Sequence, residues 1–360
     1  MFILTRFLKQ ISARNDMKVP ELQAVLRRKK LSAAVFVSLE HGDAHMRYFA
    51  GFSGGGLLCV PAKKRPFIIT HELEYERAKQ TGIQTLLWPK KTRLFDFLRT
   101  KIRGRIGMDF PSVSAHLFLA AKRKFKVKDI REEILKIRSV KTDEELRKIR
   151  KACAIADEIL NLCVKNFKKF KSEKEIAAFL EVETIKRGCS PAFPPIVASG
   201  KNASLPHYEP RTIKLHNGFC VLDFGVKYEE YCSDITRTIY LGKPSKKDIE
   251  VYNLVQGAQD AAIREISKTK NCKKIYMAAC KSLGRYNRFF IHSLGHGIGR
   301  EVHEAPYLGP SKDRLEEGNV FTLEPGIYLP GKLGIRIEAD YALWKGKLLR
   351  LTKKTGLVSV

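Results

Sequence analysis

FCVLDFGVKYEEYCSDITRTIYL, residues 219–241, holds two runs with the apolar, β-branched and aromatic make-up of strands, and each is interrupted by an aspartate. Paired as a hairpin turning at Tyr228-Glu229, position i faces position 457 − i, which sets Asp223 opposite Asp234. Opposed Cβ atoms lie about 5 Å apart, where like charges destabilise. Burial adds a larger cost, and a bound cation removes both. The arithmetic repeats in NVFTLEPGIYLPGKLGIRIEADYALW, residues 319–344, where a loop centred on Gly331 sets i against 662 − i and Glu324 opposite Glu338. An exposed acid on each strand is the plain alternative, but Asp223 inside VLDF and Glu338 inside IRIE argue against it.

A nitrogen donor lies between the two hairpins. HSLGHGIGREVHE, residues 292–304, brings His292, His296 and His303 together around Gly295, Gly297 and Gly299. Glycine permits the close backbone approach that a ligand site needs. Four carboxylates and an imidazole make a hard, oxygen-rich set that suits Mn²⁺ first, with Co²⁺, Fe²⁺ or Zn²⁺ as alternatives. Five protein ligands with bridging acids imply two ions about 3.5–4 Å apart, the spacing of hydrolytic dinuclear sites.

The rest of the chain is read around that site. Its 360 residues, 44% hydrophobic, suffice for two domains. No apolar run reaches the length of a membrane span. Residues 1–16 read as an N-terminal extension rather than a cleaved leader, since Arg6 and Lys9 break their apolar stretches. The eight cysteines are scattered without paired spacing, as in the reduced thiols of a cytoplasmic protein. Sixty-seven basic residues against 38 acidic ones give a net +29, yet they are spread along the whole chain, so dedicated nucleic-acid binding is not expected.

AAVFVSL (33–39), GLLCVPA (56–62), RPFIITHEL (65–73) and RIGMDF (105–110) read as strands alternating with helical patterns near 72–80 and at 116–125. This alternation gives a smaller α/β domain over 17–135. Residues 136–360 form an α+β domain with an antiparallel sheet under helices. Capping boxes at Thr142-Asp143-Glu144-Glu145 and Ser172-Glu173-Lys174-Glu175 start two helices, and a third follows Pro244-Ser245.

Together MRYFAGFSG (46–54), IVASGKNASLPHY (196–208), DFG…YCSDITRT (223–238), HSLGHGIGREVHEAP (292–306) and FTLEPGIYLPG…GIRIE (321–338) resemble the pita-bread-fold metallopeptidases of the M24, creatinase-like group. The resemblance is to the Xaa-Pro peptidases, aminopeptidase P and prolidase, and covers nearly all the chain. It implies a C-terminal pita-bread domain behind a smaller creatinase-like N-terminal α/β domain. It also implies metal ligands Asp223, Asp234, His296, Glu324 and Glu338, with Asp234 and Glu338 bridging two divalent ions. His207, His292, His303 and Arg336 would contact substrate.

The activity so implied is that of an Xaa-Pro aminopeptidase, which hydrolyses the bond between an N-terminal residue and a following proline. A bridging hydroxide attacks the carbonyl, Glu324 shuttles the proton, and His207 and His303 stabilise the intermediate. A homodimer is the family's usual state. Arg300, where the branch carries an apolar residue after GHGIG, and Ala339, where a second acid is frequent, bear on substrate preference. The alternatives are an Xaa-Pro dipeptidase (prolidase), a methionine aminopeptidase, and a non-catalytic creatinase-fold binding protein. Methionine aminopeptidase lacks the preceding domain, and a decayed binding module would have lost at least one ligand.

Overall fold

The computed structural model describes residues 18–40 and 43–360. The expected extension, 1–16, lies outside the described residues. The chain divides into two compact units between Ile137 and Arg138.

The first unit runs α1 (Val19–Arg28), β1 (Ala33–Ser38), α2 (Ala44–Ala50), β2 (Gly56–Pro61), β3 (Phe67–Thr70), α3 (Glu72–Lys79), β4 (Gln84–Leu87), α4 (Leu94–Lys101), β5 (Arg105–Met108), α5 (Ala115–Lys122), β6 (Lys126–Asp129) and the start of α6 (Arg131–Ser139). The six strands form one mixed sheet in the order β4-β3-β2-β1-β5-β6. Strand β1 shows why both faces are covered. Ala33, Val35 and Val37 enter one core, and Ala34 and Phe36 enter the other. The α/β reading of this part holds, although α1, α2, β4, α4 and β6 were not anticipated.

The second unit opens with α7 (Asp143–Lys165), and both halves of the Thr142–Glu145 capping box form. Helix α8 (Glu173–Lys186) has only half of the expected box. Ser172 accepts the Glu175 N–H, but the Glu175 carboxylate accepts from Lys171 N instead of Ser172 N. The chain continues through β7 (Ser190–Pro191), β8 (Ile196–Ser199), β9 (Gly218–Phe224), β10 (Val226–Tyr228), β11 (Tyr231–Cys232), β12 (Ile235–Leu241), α9 (Lys246–Lys268), α10 (Cys272–Leu283), β13 (Gly295–Gly297), β14 (Glu304–Leu308), β15 (Val320–Leu323), β16 (Gly326–Leu329), β17 (Leu333–Arg336), β18 (Ala339–Trp344) and β19 (Lys347–Arg350). Antiparallel sheets β12-β9-β8 and β14-β13-β15-β18-β19 lie under the helices. Helices α9 and α10 share a core with Phe321, Leu323 and Tyr341, while α7 and α8 pack on β8, β9 and β12. The unit is α+β, as expected.

One register differs from expectation. Asp223 faces Thr236, and Phe224 faces Ile235. The turn sits one residue later, with Tyr228 paired to Tyr231 and with Glu229 and Glu230 at φ 45° and 69°. A two-residue hairpin turn of this hand needs two left-handed residues, and a half-buried aromatic, Tyr228, is the poorer occupant. The displacement preserves parity, so Asp223 and Asp234 still share a face, as diagonal rather than direct neighbours. The second hairpin follows the expected register: Gly326 faces Arg336 and Leu323 faces Ala339.

Candidate active site

Asp223, Asp234, His296, Glu324 and Glu338 line one cavity of about 550 Å³ in the second unit, together with His207, His292, His303 and Arg336. All nine expected site residues are therefore brought together. Ligand atoms of Asp234, His296 and Glu338 lie within 4.8 Å of one another, and all three residues are buried. Glu324 Oε1 is 3.3 Å from His296 Nε2, whose other ring nitrogen is bonded to Gly297 O at 3.1 Å. That contact to a carbonyl makes Nδ1 the protonated nitrogen of the neutral ring and turns Nε2 toward the acids.

The cluster is electrostatically incomplete. Burial, and then the charges of Glu338, Asp223, Asp340 and Glu324, push Asp234 well above the usual carboxylate range. Burial followed by Glu324 and Asp223 does the same to Glu338. Burial would raise Glu324 too, but a protonated His296, through its hydrogen bond and charge, together with the charges of His292 and Arg336, outweighs it and brings this carboxyl to about 2. Asp223 Oδ2 meets Arg336, whereas its buried Oδ1 has no hydrogen-bond partner among the described residues. Four carboxylates, one of them with an orphaned buried oxygen, and one imidazole fit a divalent cation, which would supply the missing positive charge.

Further residues, not anticipated, fix the site. Tyr328 OH bonds both His292 Nε2, at 3.0 Å, and Arg336 Nη1, at 2.8 Å. Thr236 Oγ1 donates to Glu338 Oε2 at 2.7 Å and accepts from Arg336 Nε at 3.0 Å. Asp340 Oδ2 accepts the Asp234 N–H at 3.1 Å, and burial lifts Asp340 to about 7. A sequence signal existed for two of these. Thr236 and Asp340 each stand two residues beyond an expected ligand, Asp234 and Glu338, on the same face of the strand. Tyr328 gave no such signal, because its ladder partner is Gly334 and it meets His292 and Arg336 only through its hydroxyl.

The cavity wall is apolar, with Phe193, Pro194, Pro195, Val302 and Tyr307. His207 stands on its exposed side, and the His303 ring lies 4.3 Å from that of His296. Arg300 is not among its lining residues, and its guanidinium lies over the Tyr231 ring at 5.2 Å.

Comparison with known proteins agrees with this geometry. Residues 147–343 match the model of metallopeptidase family M24, and residues 18–140 match the creatinase/prolidase N-terminal domain. The Xaa-Pro dipeptidase of Pyrococcus furiosus is 35% identical over 318 residues, 85% of this chain and 90% of that protein. A prolidase crystal structure from Thermococcus sibiricus superposes with a TM-score of 0.87 at 30% identity, covering 96% of this chain and 98% of that one. An X-Pro aminopeptidase structure from Thermotoga maritima MSB8 gives 0.81 at 34% identity, covering 91% and 97%. The chain belongs to metallopeptidase family M24, in the Xaa-Pro peptidase branch of the pita-bread fold.

Proposed function

We propose that this protein is a metal-dependent Xaa-Pro dipeptidase that hydrolyses the bond preceding proline. The convergence of Asp234, His296 and Glu338 beside the unpartnered Asp223 oxygen carries the reading. Relatives named Xaa-Pro dipeptidase and prolidase favour the dipeptide over the aminopeptidase expectation. Catalysis is assigned to the domain at 136–360, with 17–135 as the accompanying α/β domain.

Asp223, Asp234, His296, Glu324 and Glu338 would hold two divalent ions, Mn²⁺ in first place. Such ions supply Lewis acidity toward the scissile carbonyl and acidify a water. The Glu324 carboxylate, 3.3 Å from the His296 ring, would carry a proton to the prolyl nitrogen, a poor leaving group unless protonated. His303 donates to the carbonyl oxygen as charge develops there. His292, its ring fixed by Ser293 O at 2.8 Å and by Tyr328, lines the substrate path. Arg336 holds Asp223 in place.

Aminopeptidase action on longer peptides is the second reading, and one observation favours it. Arg336 is the one Lys or Arg among the described lining residues, and its guanidinium is already engaged by Asp223, Thr236 and Tyr328. A dipeptide's free carboxylate therefore meets no uncommitted Lys or Arg along this wall. Turnover of Leu-Pro, Leu-Pro-amide and Leu-Pro-Gly-Gly with Mn²⁺ separates the two. Preference for Leu-Pro supports the dipeptidase, and preference for the tetrapeptide supports the aminopeptidase. Cleavage of neither, with or without metal, defeats both.

A further inference from the structure

Strand β13 pairs His296 with Tyr307 and Gly297 with Glu304, with a bulge between His296 and Gly297. Residues 298–303 therefore leave the sheet as a loop and return at Glu304, immediately after His303. The Glu304 side chain turns under this loop. Its Oε1 accepts from Arg138 Nη2 at 2.5 Å and from the Glu301 backbone N–H at 3.2 Å. Its Oε2 accepts from Lys141 Nζ at 2.8 Å, and that ammonium also donates to Arg138 O at 2.8 Å. The loop rests on the carboxylate, since a Cβ at Gly299 would stand 2.5 Å from Glu304 Oε2.

Glu304, Arg138 and Lys141 are 3%, 1% and 4% exposed, and none of them lines the cavity. Charges buried this deeply are costly, and apolar side chains of similar volume fill such a space at no greater cost. What the ions add is fixed geometry in a loop that Gly299 loosens and that ends in the imidazole of His303. The His303 ring depends on that geometry for its place 4.3 Å from the His296 ring.

We propose that Glu304 is a positioning residue, clamped by Arg138 and Lys141, that holds the 298–303 loop so that His303 faces the scissile carbonyl. The inference rests on the reading that His303 acts on substrate, so its test separates the two. A double-mutant cycle combines His303→Ala, Glu304→Gln and the double variant, with kinetics measured on an Xaa-Pro substrate and His303 ring signals read by NMR on the metal-free protein.

His303→Ala alone tests the underlying reading, with an expected loss in kcat of about a hundredfold. Glu304→Gln is expected to lower kcat about tenfold, leave KM within about twofold and displace the His303 ring signals. The double variant should be no slower than His303→Ala. Losses that multiply, unmoved ring signals or an unchanged kcat in Glu304→Gln would each overturn the positioning role. If Glu304→Gln does not fold, Lys141→Met leaves the Arg138–Glu304 pair and takes its place. A loss of about threefold that vanishes on the His303→Ala background is then expected. Full turnover in His303→Ala removes the role of His303, and a loss in Glu304→Gln would then have to arise by another route, which also overturns the proposal.

Discussion

Glu338 is where stability and activity oppose each other most directly. Its carboxylate is buried beside Glu324 and Asp223, and the Thr236 hydroxyl donates to its Oε2. A neutral amide of the same shape removes the repulsion and keeps the Thr236 contact. Glu338→Gln should therefore raise the melting temperature of the metal-free protein by several degrees while removing turnover and the stabilisation that Mn²⁺ gives. Calorimetry with chelator and with Mn²⁺ checks both signs, and a metal-free variant less stable than the parent would refute the electrostatic argument. Tyr328 poses a different question, since its single hydroxyl orients His292 and Arg336 together. Tyr328→Phe should lower kcat/KM about tenfold with metal affinity within about twofold, because neither partner is a proposed ligand. Steady-state kinetics alongside a metal titration reads this out.

Among the elements, the two acid-bearing hairpins were legible to different depths. The second was readable because Gly331, at φ 66°, marks its own turn. The first lacks a glycine at its tip, and only the aromatic nature of Tyr228 favours Glu229-Glu230 as the turning pair. Burial of Tyr231 decides it, through packing against Ile298 and Val320 that lies far away in sequence. Helix α10 was hidden for another reason. Ile275, Ala279 and Leu283 form its buried stripe, but Lys273, Lys274 and Lys281 dilute the pattern. The left-handed turn carries its own prediction. Glu230 at φ 69° bears a Cβ that this conformation disfavours. Glu230→Gly should stabilise the protein by about 0.5–1 kcal/mol despite the freedom added to the unfolded chain. Urea denaturation measures it, and a destabilised variant would mean that contacts of the Glu230 side chain outweigh the backbone term.

Over the whole molecule, the fold class was legible because four acids placed inside strands make sense only if distant segments converge. The supporting layer was less so: Asp340 is marked by its place beside Glu338, but Tyr328 takes its role from a hydroxyl that reaches His292 and Arg336. The clamp around Glu304 belongs to this hidden class, joining residues more than 160 positions apart, and it governs how the protein meets acid. Burial raises Glu304, but Lys141 and Arg138 outweigh it and bring the carboxyl from 4.5 to about 2. A folded-state value below the unfolded one stabilises above the unfolded value and is lost as pH falls. The contribution is therefore complete above about pH 5 and disappears progressively from 4.5 toward 2, a loss on the order of 3 kcal/mol. Asp340 acts in the opposite sense. Raised to about 7, it favours the folded state at low pH and loses that contribution as pH climbs from 3.8 toward 7. Comparing the parent with Glu304→Gln cancels the Asp340 part, which is common to both. The variant should be less stable at pH 7, and its stability in urea titrations should fall less steeply than the parent's between pH 5 and 3. Parallel curves would show that Glu304 titrates alike in the folded and unfolded chains, and would place the acid sensitivity of this protein elsewhere.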